Sequence, residues 1–260
     1  MTEPWHEGRI AVVTGGATGI GREIAKTLAR RGARVAIGAR RLSDPTEAAK
    51  ATEAITGSVI AEPLDVSDPR SVVRFFASVF ERLGAPDILV NAAGVSVHHR
   101  VEGHSEEDWL RVIDINLSGP FRTSKAVLGQ MKAAGWGRIV NIGSTAATTA
   151  VETHPAYCAS KSGLLGLTRA VALEGAPFGV TCTCVSPTWV ETDMLRESAA
   201  LMAAKAGRTQ SEEIAELATA NPQNRLVQPK EVAEIVSFLC SELAPALTME
   251  DIQINAGAHW

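Results

Sequence analysis

The chain has 260 residues, of which 45% are hydrophobic and 21% charged, which suits one large globular domain with a substantial core or two small ones. Its net charge of -4 gives no sign of nucleic acid or an anionic membrane surface as a partner. No stretch approaches the roughly 18 apolar residues of a membrane span, and residues 1–7 lack the basic flank and apolar centre of a signal peptide.

Short apolar runs alternate with helical patterns along the chain. The predicted strands are 10–13, 35–37, 59–64, 88–90, 139–142, 180–185 and 252–254, and the main predicted helices are 20–31, 69–83, 105–133, 156–174 and 229–241. This alternation is typical of a parallel sheet that is buried on both faces. We therefore predict an α/β fold, a doubly wound, Rossmann-like parallel sheet flanked by helices, in a single domain over residues 1–260.

Residues 188–224 interrupt the alternation. Segments 194–206 and 211–220 are helical in composition, but no strand accompanies them. Insertions between a strand and its return helix often cover a binding site. We predict a helical substrate lid at about 188–224.

The cysteines carry no metal-binding or disulfide pattern. Cys158, Cys182, Cys184 and Cys240 are scattered, and none belongs to a C-x-x-C or Cys/His zinc motif. Cys182 and Cys184 alternate along a predicted strand, so we expect small core residues on one face. Without a secretory signal, this usage favours reduced thiols and a cytoplasmic location.

A glycine-rich segment links the first predicted strand to the first predicted helix. Gly15, Gly19 and Gly21 are spaced G-x-x-x-G-x-G, which differs from the standard G-x-G-x-x-G fingerprint. Glycines at this point allow a tight turn, and the helix N-terminus offers free N–H groups to phosphate oxygens. The segment therefore predicts a dinucleotide site.

Tyr157 and Lys161 are four residues apart, about one turn along the same face of a predicted helix. A nearby ammonium favours the phenolate, so we expect Lys161 to lower the pKa of Tyr157 and make it a usable general acid/base. Alone, the spacing is more typical of an amphipathic helix surface than of a catalytic pair.

Other motifs follow in order. Residues 91–94 (NAAG) end the fourth strand, Asn116 lies in the next helix, and Ser144 follows the fifth strand, thirteen residues before Tyr157. The segment SPTWVET at 186–192 follows the sixth strand. Together with the glycine spacing and Lys161, these motifs resemble the short-chain dehydrogenase/reductase family from about residue 8 to residue 257.

The resemblance implies an NAD(P)-dependent oxidoreductase that acts on an alcohol or carbonyl group without a metal. Tyr157 would exchange a proton with the substrate oxygen, and Ser144 would position that oxygen. Lys161 would hold the nicotinamide ribose, and Asn116 would help to hold a water that links Lys161 to solvent.

The resemblance and the motif positions also give the wider site. The residues expected to bind the cofactor are Gly15, Thr18, Gly19, Ile20, Gly21, Arg40, Arg41, Asp65, Val66, Asn91, Ala92, Gly94, Tyr157, Lys161, Pro187, Thr188, Val190 and Thr192. Those expected to face the substrate are Ser144, Thr145, Ala146, His154, Tyr157, Trp189 and Met194, with Ser96 and Leu195.

The charge after the second strand indicates which cofactor is preferred. An acidic residue there suits the ribose 2′-OH of NAD, whereas an arginine suits a 2′-phosphate. The chain reads Ala39-Arg40-Arg41 and has no acid until Asp44, which predicts NADP(H), with Arg40 as the main contact and Arg41 assisting. The alternative is a solvated arginine pair in an enzyme that also uses NAD(H).

His98, His99 and His104 follow the fourth strand and are candidate metal ligands. The sequence offers no fourth ligand, so we interpret them as solvated loop residues and expect no metal. His154 is a candidate either for a polar substrate contact or for a helix-entry residue.

Within the family, segments 137–142 and 163–168 resemble those of 3-oxoacyl reductases, polyketide ketoreductases and hydroxybutyrate dehydrogenases. We expect an enzyme that reduces a 3-oxoacyl or other ketone. The alternatives are an NAD-dependent enzyme that oxidises hydroxybutyrate, a sugar or a cyclic alcohol, and a non-catalytic dinucleotide-binding protein.

The resemblance further implies a homotetramer, partly through the helices that carry Asn116 and Tyr157. Two positions depart from the family pattern. Thr188 stands where a glycine is common, which could narrow the pocket, and residues 255–257 read Asn-Ala-Gly instead of Asp-Gly-Gly, which bears on the subunit contact.

Overall fold

The structure is a computed structural model that describes residues 3–53 and 55–258. Residues 1, 2, 54, 259 and 260 of the predicted domain lie outside the described residues. In the described part, seven parallel strands form one sheet in the order β3-β2-β1-β4-β5-β6-β7. The strands are β1 (Ile10–Thr14), β2 (Arg34–Ala39), β3 (Val59–Pro63), β4 (Ile88–Asn91), β5 (Gly137–Ile142), β6 (Val180–Pro187) and β7 (Asp251–Ile254).

Helices cover both faces of this sheet. They are α1 (Gly19–Arg30), α2 (Pro45–Glu53), α3 (Pro69–Arg82), α4 (Glu106–Ile113), α5 (Gly119–Ala134), α6 (Pro155–Gly175), α7 (Asp193–Ala206), α8 (Gln210–Thr219) and α9 (Pro229–Leu239). The predicted fold class, a doubly wound Rossmann-like sheet in one domain, is confirmed. None of the described helices is long and apolar enough to cross a membrane.

Alternating side chains of the strands build one core on each face of the sheet. In β1, Val13 packs in a cluster with Ile24 of α1 and Val236 of α9. Its neighbour Val12 packs in a second cluster with Phe75 of α3. Because successive strand residues point to opposite faces, continuous apolar strands of this kind require helices on both sides.

Two helical features differ from the sequence-based expectation. Helix α2 was not predicted, and the helix expected over 105–133 is divided into α4 and α5 by a π-helical turn at Asp114–Ser118. Asn116 lies in this turn. π-Helical turns are rare overall, but many of those that occur lie at functional sites. The interruption therefore marks Asn116 as a candidate functional residue.

Helices α7 and α8 occupy the segment predicted as a lid. They pack on each other through a small cluster that includes Leu195, Ala199 and Leu217. The strand order reverses between β1 and β4, and the carboxyl ends of these strands are where a doubly wound sheet binds ligands. The segment's role as a substrate lid stays a prediction.

Candidate active site

The turn between β1 and α1 is built so closely that only glycine fits at two positions. Gly15 has a φ of +67°, and a Cβ there would lie 2.8 Å from the backbone of Ala93. A Cβ on Gly21 would lie 2.4 Å from the carbonyl oxygen of Gly15. The turn thus brings bare backbone and the first N–H groups of α1 to the edge of the sheet, where they suit a phosphate.

A cleft of about 1010 Å³ opens beside this turn. Residues predicted to bind the cofactor that line it are Gly15, Thr18, Arg40, Arg41, Asp65, Val66 and Gly94. Arg40 and Arg41 are exposed in a 3₁₀ turn directly after β2, and among the described residues neither forms an ion pair. A cleft of this volume with a glycine turn and unpaired arginines fits a phosphorylated dinucleotide.

A second cavity of about 360 Å³ adjoins the cleft. Every residue predicted to face the substrate lines it: Ser144, Thr145, Ala146, His154, Tyr157, Trp189 and Met194, together with Ser96 and Leu195. Ile20, Ala92, Gly94, Lys161, Pro187, Thr188, Val190 and Thr192, predicted for the cofactor, also line it. Gly94, Ser96, Met194 and Ser198 border both spaces, so a ligand in one can reach a ligand in the other.

Ser144, Tyr157 and Lys161 come to this cavity from β5 and α6. Ser144 follows β5 and caps a 3₁₀ turn, where its Oγ accepts a hydrogen bond from Ala146 N–H at 3.1 Å. Lys161 is one turn after Tyr157 on α6, and its Nζ lies 5.6 Å from the phenol ring centroid. Lys161 Nζ also donates to the carbonyl oxygen of Ile142 at 2.7 Å, which fixes the ammonium beside the end of β5.

Residues 9–203 match the family described as short chain dehydrogenase. This chain belongs to that family. Over 254 residues it is 34% identical to the D-beta-hydroxybutyrate dehydrogenase of Rhizobium meliloti, covering 96% of this chain and 98% of that protein. It is 36% identical over 253 residues to the 3-oxoacyl-[acyl-carrier-protein] reductase of Escherichia coli, covering 97% of this chain and 98% of that protein.

A solved structure agrees with these sequence relatives. The crystal structure of levodione reductase superposes with a TM-score of 0.89 at 27% identity, covering 96% of this chain and 97% of that one. As a short-chain dehydrogenase, the protein is an oxidoreductase that interconverts an alcohol and a carbonyl group. The predicted family and enzyme class are confirmed.

Electrostatics in this short-chain dehydrogenase differ from the sequence-based expectation for Tyr157. Burial raises the pKa of the Tyr157 phenol, and the hydrogen bond from Ser144 opposes this only in part. Burial likewise lowers the pKa of Lys161 to about 8. The expectation that Lys161 lowers the pKa of Tyr157 is wrong for this structure, because both groups lose water and Lys161 is bonded to Ile142.

The side chain of Asn116 is fully used inside the protein. Its Oδ1 accepts from Val95 N–H at 2.9 Å, and its Nδ2 donates to Val95 O at 2.9 Å and to Ser160 Oγ at 3.1 Å. These bonds join the π-helical turn to the loop after β4 and to α6. Its predicted part in holding a water beside Lys161 stays a prediction.

Three predicted cofactor residues border neither cavity. Asn91 is buried, where its Nδ2 donates to Asn141 Oδ1 at 2.8 Å and its Oδ1 accepts from Thr123 Oγ1 at 2.6 Å. It therefore ties β4 to β5 and α5. Gly19 and Gly21 belong to the first turn of α1, where they shape the backbone.

The two departures from the family pattern are accommodated. Thr188 borders the substrate cavity, and its N–H donates to the carbonyl oxygen of Ile254 at 3.0 Å. Ala256 takes a φ of +49°, in the left-handed region that glycine adopts more readily.

Cys182 and Cys184 are fully buried, as predicted for small core residues.

His98 corrects the interpretation of the loop histidines as solvated. Its ring is half-buried at the edge of the cofactor cleft, 4.0 Å from the ring of His154 between centroids, and its Nε2 lies 3.1 Å from Ser198 Oγ. Burial, and then the proximity of His154, lowers the pKa of His98 to about 4. No sequence motif indicated the burial of His98, because its contact with Ser198 depends on how α7 folds back over the loop.

Across residues 3–53 and 55–258, no group of three His, Cys, Asp or Glu side chains is arranged for a metal.

Proposed function

We propose that this short-chain dehydrogenase is an NADP(H)-dependent ketone reductase in which Tyr157 supplies the proton. The observation that carries this proposal is that Ser144, Tyr157 and Lys161 line one cavity, which meets the dinucleotide cleft at Gly94 and Ser96. A carbonyl in the smaller cavity would meet the two hydroxyls on one side and the cofactor cleft on the other. This is the geometry that carbonyl reduction requires.

When bound, the nicotinamide supplies the hydride to the carbonyl carbon. Tyr157 holds its proton at neutral pH, since the ordinary pKa of a phenol is about 10 and burial raises the pKa of Tyr157 further. It gives that proton to the oxygen as negative charge develops. The Ser144 hydroxyl donates a second hydrogen bond to the same oxygen and stabilises that charge. Lys161 uses one N–H on Ile142 O and keeps two for the hydroxyls of the cofactor's nicotinamide ribose.

The neutral Tyr157 phenol is the proton donor for reduction, and in the reverse reaction the same oxygen would accept the proton. The direction is therefore proposed from the relatives and not from the ionisation of Tyr157. The likeness to a 3-oxoacyl reductase suggests a 3-oxoacyl or other ketone as substrate.

NADP(H) is supported by Ala39, Arg40 and Arg41 at the end of β2. A carboxylate at this strand end would repel a 2′-phosphate, and here the strand ends in Ala39. One observation favours the NAD-dependent alternative: Asp44 and Glu47 also line the cleft, and a carboxylate suits the ribose 2′-OH. The likeness to a hydroxybutyrate dehydrogenase points in the same direction.

We also propose a cytoplasmic homotetramer. Large apolar side chains are exposed on the helices that the resemblance assigns to subunit contacts, with Leu110 of α4, Phe121 of α5 and Leu173 of α6 each more than half exposed. Such side chains would lose contact with water in an assembly. All four cysteines are free thiols, which agrees with a reducing compartment.

The test of the cofactor is a titration of NADPH against NADH, followed by thermal shift, on the wild type and on Ala39→Asp/Arg40→Ala. We expect the wild type to bind NADPH at least about tenfold more tightly, since a charge-assisted contact to the 2′-phosphate contributes on the order of 1.5–3 kcal/mol. We expect the double variant to reverse this preference. Arg34→Ala, which removes an exposed arginine at the opposite end of β2, is the matched control and should bind both cofactors as the wild type does.

An unchanged NADPH/NADH ratio in the double variant would refute the role of Arg40. Tighter binding of NADH by the wild type would favour the NAD-dependent dehydrogenase. Binding of neither cofactor would favour a protein without turnover and contradict the assignment of the glycine turn.

A further inference from the structure

The substrate cavity has a polar corner at His154, one turn of backbone before Tyr157. The His154 side chain is buried, and its ring centroid lies 6.4 Å from that of Tyr157. The residue before it, Thr153, has a φ of +67°, which a β-branched residue rarely adopts. The surrounding structure therefore holds the backbone in a strained conformation that delivers this imidazole to the cavity wall.

The hydrogen bond at Nδ1 fixes the tautomer of His154. Nδ1 lies 2.8 Å from the backbone carbonyl oxygen of Glu152. A carbonyl oxygen only accepts hydrogen bonds, so Nδ1 carries the proton. In the neutral ring, Nε2 is then an acceptor with a free lone pair, and within the described residues it has no hydrogen-bond partner.

The surroundings keep this ring uncharged. Burial lowers the pKa of His154, the hydrogen bond to Glu152 opposes this only in part, and the ammonium of Lys205 on α7 adds to the lowering. The ring of His98, with centroids 4.0 Å apart, packs against His154 and is itself held by Ser198 on α7. Glu152 borders the cavity, but its carboxylate is paired with Arg100 at 2.6 Å. At neutral pH the corner therefore presents an acceptor without a positive charge.

A second polar group lines the same cavity. Ser96 Oγ is buried and has no hydrogen-bond partner within the described residues, although buried hydroxyls nearly always have one. Ser96 lies where the substrate cavity meets the cofactor cleft. An unpaired hydroxyl at this junction indicates that a polar group of a bound ligand forms a hydrogen bond with Ser96 Oγ.

We propose that this corner selects ketones that carry a neutral hydroxyl group a few bonds from the reacting carbonyl. His154 Nε2 accepts the hydrogen bond from that hydroxyl, and the Ser96 hydroxyl is the second polar contact. A methyl group at the same place leaves both protein groups unpaired, and a carboxylate offers no donor to Nε2. The inference rests on the proposed ketone reductase function.

The test compares three probes of similar size with NADPH: 4-hydroxybutan-2-one, pentan-2-one and acetoacetate. The first carries a hydroxyl where the second carries a methyl group. We expect kcat/KM for the hydroxy ketone to exceed each of the other two by about tenfold, the usual discrimination of one neutral hydrogen bond to a cavity group. This comparison uses the wild-type enzyme, so it does not depend on the folding of a variant.

The variant that removes the acceptor is His154→Phe, which keeps a planar ring. We expect it to lower the ratio of kcat/KM between 4-hydroxybutan-2-one and pentan-2-one several-fold, with Ser96 as the remaining polar contact. His99→Phe makes the same chemical change at an exposed loop position outside both cavities and should keep the wild-type ratio.

Equal kcat/KM for the hydroxy ketone and pentan-2-one in the wild type would overturn this inference and leave the proposed function standing. A preference for acetoacetate that grows as the pH falls below 6.5 would also overturn it, because it would mean a protonated imidazole that binds an anion. Failure to reduce any ketone with NADPH or NADH would overturn the proposed function and this inference with it.

Discussion

Burial sets the protonation states of Tyr157 and Lys161. The fall in the pKa of Lys161 from 10.5 to about 8 corresponds to about 3 kcal/mol of lost preference for the charged form. The pKa of Tyr157 moves in the opposite direction for the same reason, since a buried phenolate is also disfavoured. The pair therefore stands ready with a neutral phenol, which is the proton donor that ketone reduction needs.

The ordered motifs in the sequence predicted most of the residues that meet at the site, but not their energetics. The spacing of Tyr157 and Lys161 alone does not predict a shared cavity with Ser144, whereas the resemblance to the short-chain dehydrogenase/reductase family does. Their ionisation depends on how much water the packed structure removes, and no local pattern encodes that. The same holds for His98, whose burial depends on a contact with Ser198, 100 residues away.

Among the elements, the turn between β1 and α1 has the least tolerance for change. We expect Gly21→Ala to cost about 1–3 kcal/mol of stability and to weaken NADPH binding, because its Cβ would lie 2.4 Å from a backbone oxygen that cannot move away freely. Thermal melting and NADPH titration measure the two effects.

Gly103→Ala is the matched control, because Gly103 is exposed in the 3₁₀ turn at Val101–Gly103, outside both cavities, and a Cβ there meets nothing within 4 Å. We expect it to leave stability within about 0.5 kcal/mol of the wild type and NADPH affinity unchanged. Wild-type NADPH affinity and stability in Gly21→Ala would contradict the assignment of this turn as a phosphate cradle.

Strands were more predictable than helices at the level of elements. Continuous apolar runs such as the one in β1 are read directly from the sequence, because both faces of the sheet are covered. Helix α2 (PTEAAKATE) has too few large apolar residues to give a periodic signal. The π-helical turn at Asp114–Ser118 leaves the helical pattern nearly continuous, so its interruption of the predicted helix is visible only in three dimensions.

For the whole molecule, buried neutral histidines predict loss of stability in acid. His6 is fully buried, with Nε2 2.9 Å from Ser237 Oγ of α9 and Nδ1 without a partner among the described residues. Burial lowers the pKa of His6 from 6.5 to about 4. The unfolded chain therefore binds this proton at a higher pH than the folded one, so stability is complete above pH 6.5 and falls as the pH drops towards 4.

We expect the His6 contribution to be about 3 kcal/mol between these pH values, measured as the change in the free energy of urea unfolding. The variant His6→Gln should show a correspondingly smaller change with pH, whatever its stability at neutral pH. An identical pH dependence in the variant and the wild type would show that His6 is not the group responsible. His98 and His154, whose pKa values are also lowered, act in the same direction and remain in both proteins.

The overall topology was predictable because its causes are local and repeated: apolar strands, helical crossovers and a glycine turn at the first of them. The packing of α7 and α8 over the site was predictable only as a helical segment without a strand partner. Which residues of that segment meet the loop after β4 is decided by tertiary contacts, such as that between Ser198 and His98.

The most direct test of the account is the rate of ketone reduction by Tyr157→Phe with NADPH, measured beside NADPH binding to the same variant. The change removes the phenol oxygen and keeps the ring, so we predict at least about a hundredfold loss of kcat, the usual contribution of a positioned general acid, with NADPH affinity close to that of the wild type. A kcat near the wild-type value in this variant would contradict the account, because the proton would then come from another group.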